Sequence, residues 1–137
     1  MRKKSTPAQR ARSLKSAAPV AAAPIRLLSQ MDSATRKTYP MASGLTDYFP
    51  DALAYVAHVS YLGNEKHNPG EPLHWARGKS MDHSDCIIRH HQEHGTLDPE
   101  GTRHTGQLAW RALALLQEEL ERDLGLSTPR GATDPLP

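Results

Sequence analysis

The chain has 137 residues, enough for one domain with a modest core, and its 37% hydrophobic content, with one Phe and two Trp, is thin for a globular protein. Its net charge of +2 joins two unlike parts: residues 1–37 carry nine Lys/Arg against one acid (+8), and residues 38–137 carry eight against fourteen (−6). No window approaches the roughly 18 apolar residues of a membrane span, and the single Cys86 excludes an internal disulfide and fits a reducing cytoplasm.

Residues 1–37 read as a disordered basic tail, rich in Ala, Ser, Pro and cations. Pro19, Pro24 and Arg26 interrupt the one apolar run, so it has no signal-peptide core. Such a tail attracts nucleic acid without sequence preference, although no aromatic is interleaved to stack bases. Order is expected from Tyr39, with a helical domain over 38–125 and a second disordered tail over 126–137.

A first helix is predicted over 50–62, with Pro50 in its first turn and Gly63 just past its end. Two apolar stripes, through Leu53, Val56, Ala57 and through Tyr55, Val59, Leu62, make it hydrophobic nearly all round, as expected of a central helix. His58 lies in that pattern and reads as a core histidine. A long connection follows, NEKHNPGEPLHWARGK, holding Lys66, His67, His74, Trp75 and Arg77. Loops of this length tend to be functional. Trp75 serves either as a lid that stacks on a base or as a pin to the core.

Ser80 is a good N-cap for a second helix, running to about Glu93, on which Asp85 and Arg89 stand at i, i+4 and Cys86 reads as a buried hydrophobe. Asp98-Pro99-Glu100-Gly101 carries the preferred residues of a type I turn, and Thr102 is a natural N-cap for the third helix. That helix, 103–125, has a broad apolar arc and a narrow polar stripe: His104, Gln107, Arg111, Glu118 and Arg122. The C-terminal half of the stripe reads as a solvated face, and Gly125 closes the helix. The arc is wider than two neighbouring helices cover, which points to a homo-oligomer.

All eight histidines fall between His58 and His104, yet no HExxH or Cys/His zinc pattern occurs. Neither does a Gly-rich phosphate loop or a nucleophile elbow. Asp82/Asp85 and Glu118/Glu121 are paired carboxylates at helical spacing, able to hold Mg²⁺ against a triphosphate. Charges at helix ends explain them better, Asp82 suiting a helix start and the Glu pair an exposed end.

The segments GNEKHNPGEPLHW, SDCIIRHHQE and LDPEGTRHTGQLAWRALALLQEEL resemble the N-terminal domain of phage dATP/dGTP diphosphohydrolases over roughly residues 39–120. The matching positions are Lys66, His67, Trp75, Asp85, Arg89, His90, Asp98, Gly101, His104 and Trp110. Two departures stand out. Relatives often carry His and Asn where this chain has Gln107 and Arg111, and the chain stops before a MazG-like domain with its four-carboxylate motif.

These patterns predict an all-α, compact bundle of three main helices with a long inter-helix loop and a short fourth helix near residues 40–48, located in the cytoplasm (the host's, for a phage protein). The resemblance implies metal-dependent hydrolysis of purine deoxynucleoside triphosphates to the monophosphate and pyrophosphate. Asp85, His104 and Glu65 are then the catalytic candidates. Asp85 and His104 would hold a divalent cation, Mg²⁺ or Mn²⁺, and Lys66, His67, Trp75, Arg89 and His90 would bind a purine deoxynucleotide. The alternative is a non-catalytic nucleotide-binding or assembly module acting with a separate catalytic domain.

Overall fold

The structure, a computed structural model, describes residues 22–134 and 136. Residues 1–21 of the expected basic tail lie outside the described residues. The remainder of that segment forms a 3₁₀ turn at Leu28–Gln30 and a short helix α1, Ser33–Arg36, whose N-cap Asp32 accepts from Thr35 N at 2.9 Å. It also meets the far end of the chain. Arg26 Nη1 and Nη2 donate to the carbonyls of Ser127 and Thr128, and Ser127 N donates to Ile25 O.

A π-helical turn at Ala42–Thr46 leads into α2, Pro50–His67. Pro50 opens α2 as expected, but Gly63 does not end it. The helix runs through Gly63 because Asn64 anchors the extra turn: its Nδ2 donates to Glu71 O at 3.0 Å, and its Oδ1 accepts from Asn68 Nδ2. The stop comes instead at Asn68, before Pro69, which disfavours helical backbone in the residue preceding it.

The connection therefore spans 68–82 and contains a 3₁₀ turn, Arg77–Lys79. Helix α3 covers His83–Gln92, starting after Asp82 rather than Ser80; Ser80 Oγ donates to Asp82 Oδ1 at 2.8 Å instead of capping the helix directly. Helix α4, His104–Leu124, ends at Gly125 in the left-handed region, φ 62°, as the C-terminal glycine predicted.

The protein is all-α. Among the described residues there is no strand, only isolated bridges joining Trp75 to Ala132 and Leu97 to Arg103. Helix α4 is the central element, packing against α3 on one side and α2 on the other. That reverses the expectation of a central α2: here α2 lies at the edge. His58 follows its helix, exposed rather than buried in a core, with its ring stacked on Tyr61 at 6.0 Å.

The interior is largely polar. The buried hydrophobic residues among those described are Cys86 and Ala114, whereas Asn64, Asn68, Arg77, His83, Thr102, His104 and Glu121 are all buried. Each side chain of that second group must therefore find a partner. The deepest is Arg77, whose Nη1 and Nη2 donate to the two Glu121 oxygens at 2.8 and 2.7 Å with both side chains 2% exposed. Glu121 thus belongs to a buried ion pair, not to the exposed helix end that its sequence position suggested.

Candidate functional site

A groove of ≈ 750 Å³ opens between α2, α4, the 68–82 connection and the segment near residue 131. Helical spacing on α2 brings Val56, Val59 and Ser60 to its floor, and α4 supplies Gln107, Trp110, Arg111 and Leu113. The last residue of α2, His67, and the connection's Asn68, His74, Trp75 and Lys79 complete the lining.

Two tryptophans form its aromatic wall, their ring centroids 5.8 Å apart and nearly perpendicular. Both are held firmly. Trp110 Nε1 donates to Ser60 Oγ at 2.6 Å, and the Arg77 guanidinium sits 4.4 Å from the Trp75 ring centroid. The Trp75 backbone is also pinned, donating to Gly131 O and accepting from Thr133 N. Trp75 therefore fastens the loop, as the second of its two sequence readings has it, and its ring lines the groove.

The charge of this lining is one-sided. It contains Lys79, Arg111 and two histidines and, among the described residues, neither Asp nor Glu. Lys79 Nζ donates to His67 O at 2.7 Å and to Asn68 Oδ1, which ties the connection to the end of α2. Arg111 Nη1 lies 3.3 Å from His83 Nδ1 and 3.9 Å from Asp82 Oδ1. An apolar, aromatic groove with a cationic rim suits a planar ring bearing an anionic tail.

A smaller cleft of ≈ 140 Å³ lies beside it, lined by Lys66, His67, Asp98, Glu100 and Gln107 among others. Lys66 Nζ donates to Glu100 Oε1 at 2.7 Å, with both side chains exposed. Asp98 organises the turn: Oδ1 accepts from Glu100 N and Thr102 N at 2.9 and 2.8 Å, while Oδ2 accepts from Gln107 Nε2 at 2.6 Å. Burial alone would raise its carboxyl pKa, but these hydrogen bonds outweigh it, and the net shift is downward.

The candidates on α3 lie elsewhere. His90 and His104 meet between α3 and α4, Nδ1 to Nδ1 at 3.0 Å, and His104 Nε2 faces Glu93 Oε2 at 3.0 Å. Across that contact one ring donates and the other accepts. Asp85 is exposed, and Arg89 turns to Cys86 Sγ at 3.0 Å rather than to Asp85. Glu65 is exposed on α2.

Of the residues singled out in the sequence, His67 and Trp75 thus meet in the groove, Lys66 and His67 in the smaller cleft, and His90 and His104 in the α3–α4 seam. Asp85 does not join His104, both of whose ring nitrogens are engaged by His90 and Glu93. Among the described residues, no group of three or more His, Cys, Asp or Glu is placed to share a metal ion.

Sequence reasoning missed Asn64, Asn68, Lys79 and His83, all of which bond across elements. Only the glycine-rich and proline-rich length of the connection hinted at an anchored loop. No family model matches the chain, and neither a curated protein nor a solved structure matches it.

Proposed function

We propose that the chain is a nucleotide-binding module: it holds a purine deoxynucleotide in the tryptophan-walled groove and works with a separate catalytic domain. The observation that carries this reading is the lining itself, two immobilised tryptophans and a cationic rim with no carboxylate beside them among the described residues. A base stacks on the aromatic face, and the phosphates lie towards Lys79, Arg111 and His67. The resemblance of residues 39–120 to the diphosphohydrolase N-terminal domain supports the choice of a purine deoxynucleotide. The lack of carboxylates in the described lining supports binding over hydrolysis by this chain alone, because hydrolysis of a triphosphate ordinarily needs carboxylate-held cations against the phosphates.

The test is tryptophan fluorescence with dATP, dGTP and dCTP, with and without Mg²⁺ or Mn²⁺, alongside an assay for monophosphate. Purine nucleotides are expected to quench and dCTP to act weakly, with no turnover in any metal. Trp75→Ala should weaken binding about tenfold or more, since stacking on an aromatic contributes ~1–3 kcal/mol per base. Turnover to monophosphate by the purified chain would overturn the module reading and establish the hydrolase in its place.

A further inference from the structure

The walls of the groove are not equally secured. Helices α2 and α4 are joined by the hydrogen bonds from Trp110 Nε1 to Ser60 and from Arg103 N to the Tyr55 hydroxyl. The 68–82 connection is fastened by the buried Arg77–Glu121 pair. The remaining wall is the segment 126–134, of which Pro129, Gly131 and Ala132 line the groove. It leaves α4 at Gly125, whose left-handed backbone turns the chain back while Leu126 N donates to Glu121 O at 3.1 Å. It then reaches Trp75, whose N–H donates to Gly131 O at 2.7 Å and whose carbonyl accepts from Thr133 N at 3.2 Å. That contact is one isolated bridge, not a ladder.

Little apolar burial holds this segment down. Leu126 and Pro129 are its larger apolar groups and are only half-buried, while Thr128, Arg130, Gly131 and Thr133 are exposed. What fixes it is a clasp with residues 25 and 26. Arg26 Nη1 and Nη2 donate to the Ser127 and Thr128 carbonyls at 2.7 and 3.0 Å. Ser127 N donates to Ile25 O at 3.0 Å, and Ile25 N donates to Ser127 Oγ at 2.8 Å. Ser29 Oγ, bonded to both the N–H and the carbonyl of Arg26, holds that residue in its turn. The bonds from Ile25 N and from Arg26 to Thr128 are exposed, and bonds of this kind exchange for water at small net cost. Segments with few buried apolar contacts and exposed backbone bonds are the ones that open first.

We infer that residues 126–134 are a strap that gates the groove, latched by Arg26 and opening while α2, α4 and the connection stay in place. Opening frees the Trp75 main chain and removes the wall made by Pro129, Gly131 and Ala132. Closing encloses what has entered. Arginine suits the latch because its planar fork reaches two successive carbonyls at once, which the single ammonium of lysine does not match. The ligand side of this inference rests on the nucleotide-binding reading: there the strap sets how fast a purine nucleotide enters and leaves. Its opening is a property of the chain alone and is measured without any nucleotide.

Amide hydrogen exchange on the full chain, with acrylamide quenching of its two tryptophans, both of which line the groove, provides the test. Arg26→Ala removes the fork, and Thr133→Pro removes the donor to the Trp75 carbonyl. Each should speed exchange of the Trp75 amide about tenfold and raise the quenching, with helix content by circular dichroism unchanged. The Lys79 amide, bonded to Ala76 O within the connection, should keep its rate. Arg36→Ala, on α1, should alter neither readout. Release of dATP should quicken about tenfold in the two strap variants. A Trp75 amide indifferent to both variants, or a Lys79 amide that speeds up equally, would overturn the strap. Faster exchange with unchanged quenching, or with unchanged dATP release, would overturn the gate. Failure of the parent chain to bind dATP would count against the nucleotide reading alone, and exchange and quenching would still decide the strap.

Discussion

A Cβ on Gly106 would lie 2.6 Å from Tyr55 Cε1 and 2.7 Å from Cδ1, closer than such atoms approach in folded proteins. The ring cannot easily give way, because Arg103 N donates to the Tyr55 hydroxyl at 2.9 Å and fastens it across the start of α4. A single absent methyl therefore sets how closely α2 and α4 meet, and hence the width of the groove between them. Gly106→Ala should destabilise by about 1–3 kcal/mol, the usual range for overpacking, measured as a lower urea midpoint. That loss would exceed anything alanine's better helix propensity returns, roughly 1 kcal/mol. A Gly106→Ala variant as stable as the parent would show that Tyr55 moves freely. In the sequence Tyr55 is one member of an apolar stripe and Gly106 carries no signal. A glycine in the first turn of an amphipathic helix looks like a weak helix former until the facing tyrosine is known.

At the scale of elements, the polar stripe of α4 is the seam on which α3 docks. His104 meets His90 and Glu93, Arg111 meets His83, and Glu118 Oε1 lies 3.3 Å from His83 Nε2. The C-terminal half of the stripe has the sequence of a solvated face, yet Glu118 is paired across the seam. Helical periodicity reports which residues share a face, but it does not say whether that face meets water or another polar helix. His90 is held below the ordinary histidine value, first by burial and then by the charges of His104, Arg89 and Arg111, with Glu93 opposing. Because the folded value is lower than the unfolded one, the unfolded chain takes up the proton first as pH falls. The stabilisation is complete above about 6.5, the unfolded value, and is lost as pH drops from there through the folded value. The melting temperature should therefore fall between pH 7.5 and 5, and His90→Gln should flatten that slope. A parallel slope in the variant would remove His90 from the titration.

At the scale of the whole molecule, the long connection is tied down by the Arg77–Glu121 pair, which also sets Trp75 against Trp110. Burial pushes the Glu121 carboxyl up, but hydrogen bonds from Arg77 and Gln117 and the charges of Arg77 and Arg26 outweigh it, and the net direction is down. Its stabilisation is thus present above the ordinary glutamate range and lost as pH falls through the depressed folded value. Arg77→Ala leaves a buried carboxylate without its partner and should cost about 3–5 kcal/mol. That is a large share of the ~5–15 kcal/mol that holds a domain together. The change should appear as a collapse of the thermal transition and a red shift of tryptophan emission. An unchanged melting temperature would show the pair to be dispensable.

Taken alone, the sequence determined the helical class, the Pro50 start of α2, the Gly125 stop of α4, the Asp98 turn and the burial of Cys86. Each of these is a local preference of backbone or side chain, expressed within one element. Only the tertiary structure decided that α4 and not α2 is central, that Asn64 carries α2 past Gly63, and that Glu121 is paired with Arg77. The same holds for Trp75 joining Trp110 while Asp85 stays apart from His104. These outcomes depend on residues far apart in the chain, such as Arg77 and Glu121, 44 positions apart. The burial and partner of each such residue are set by how the helices pack, and periodicity within one helix carries no record of that.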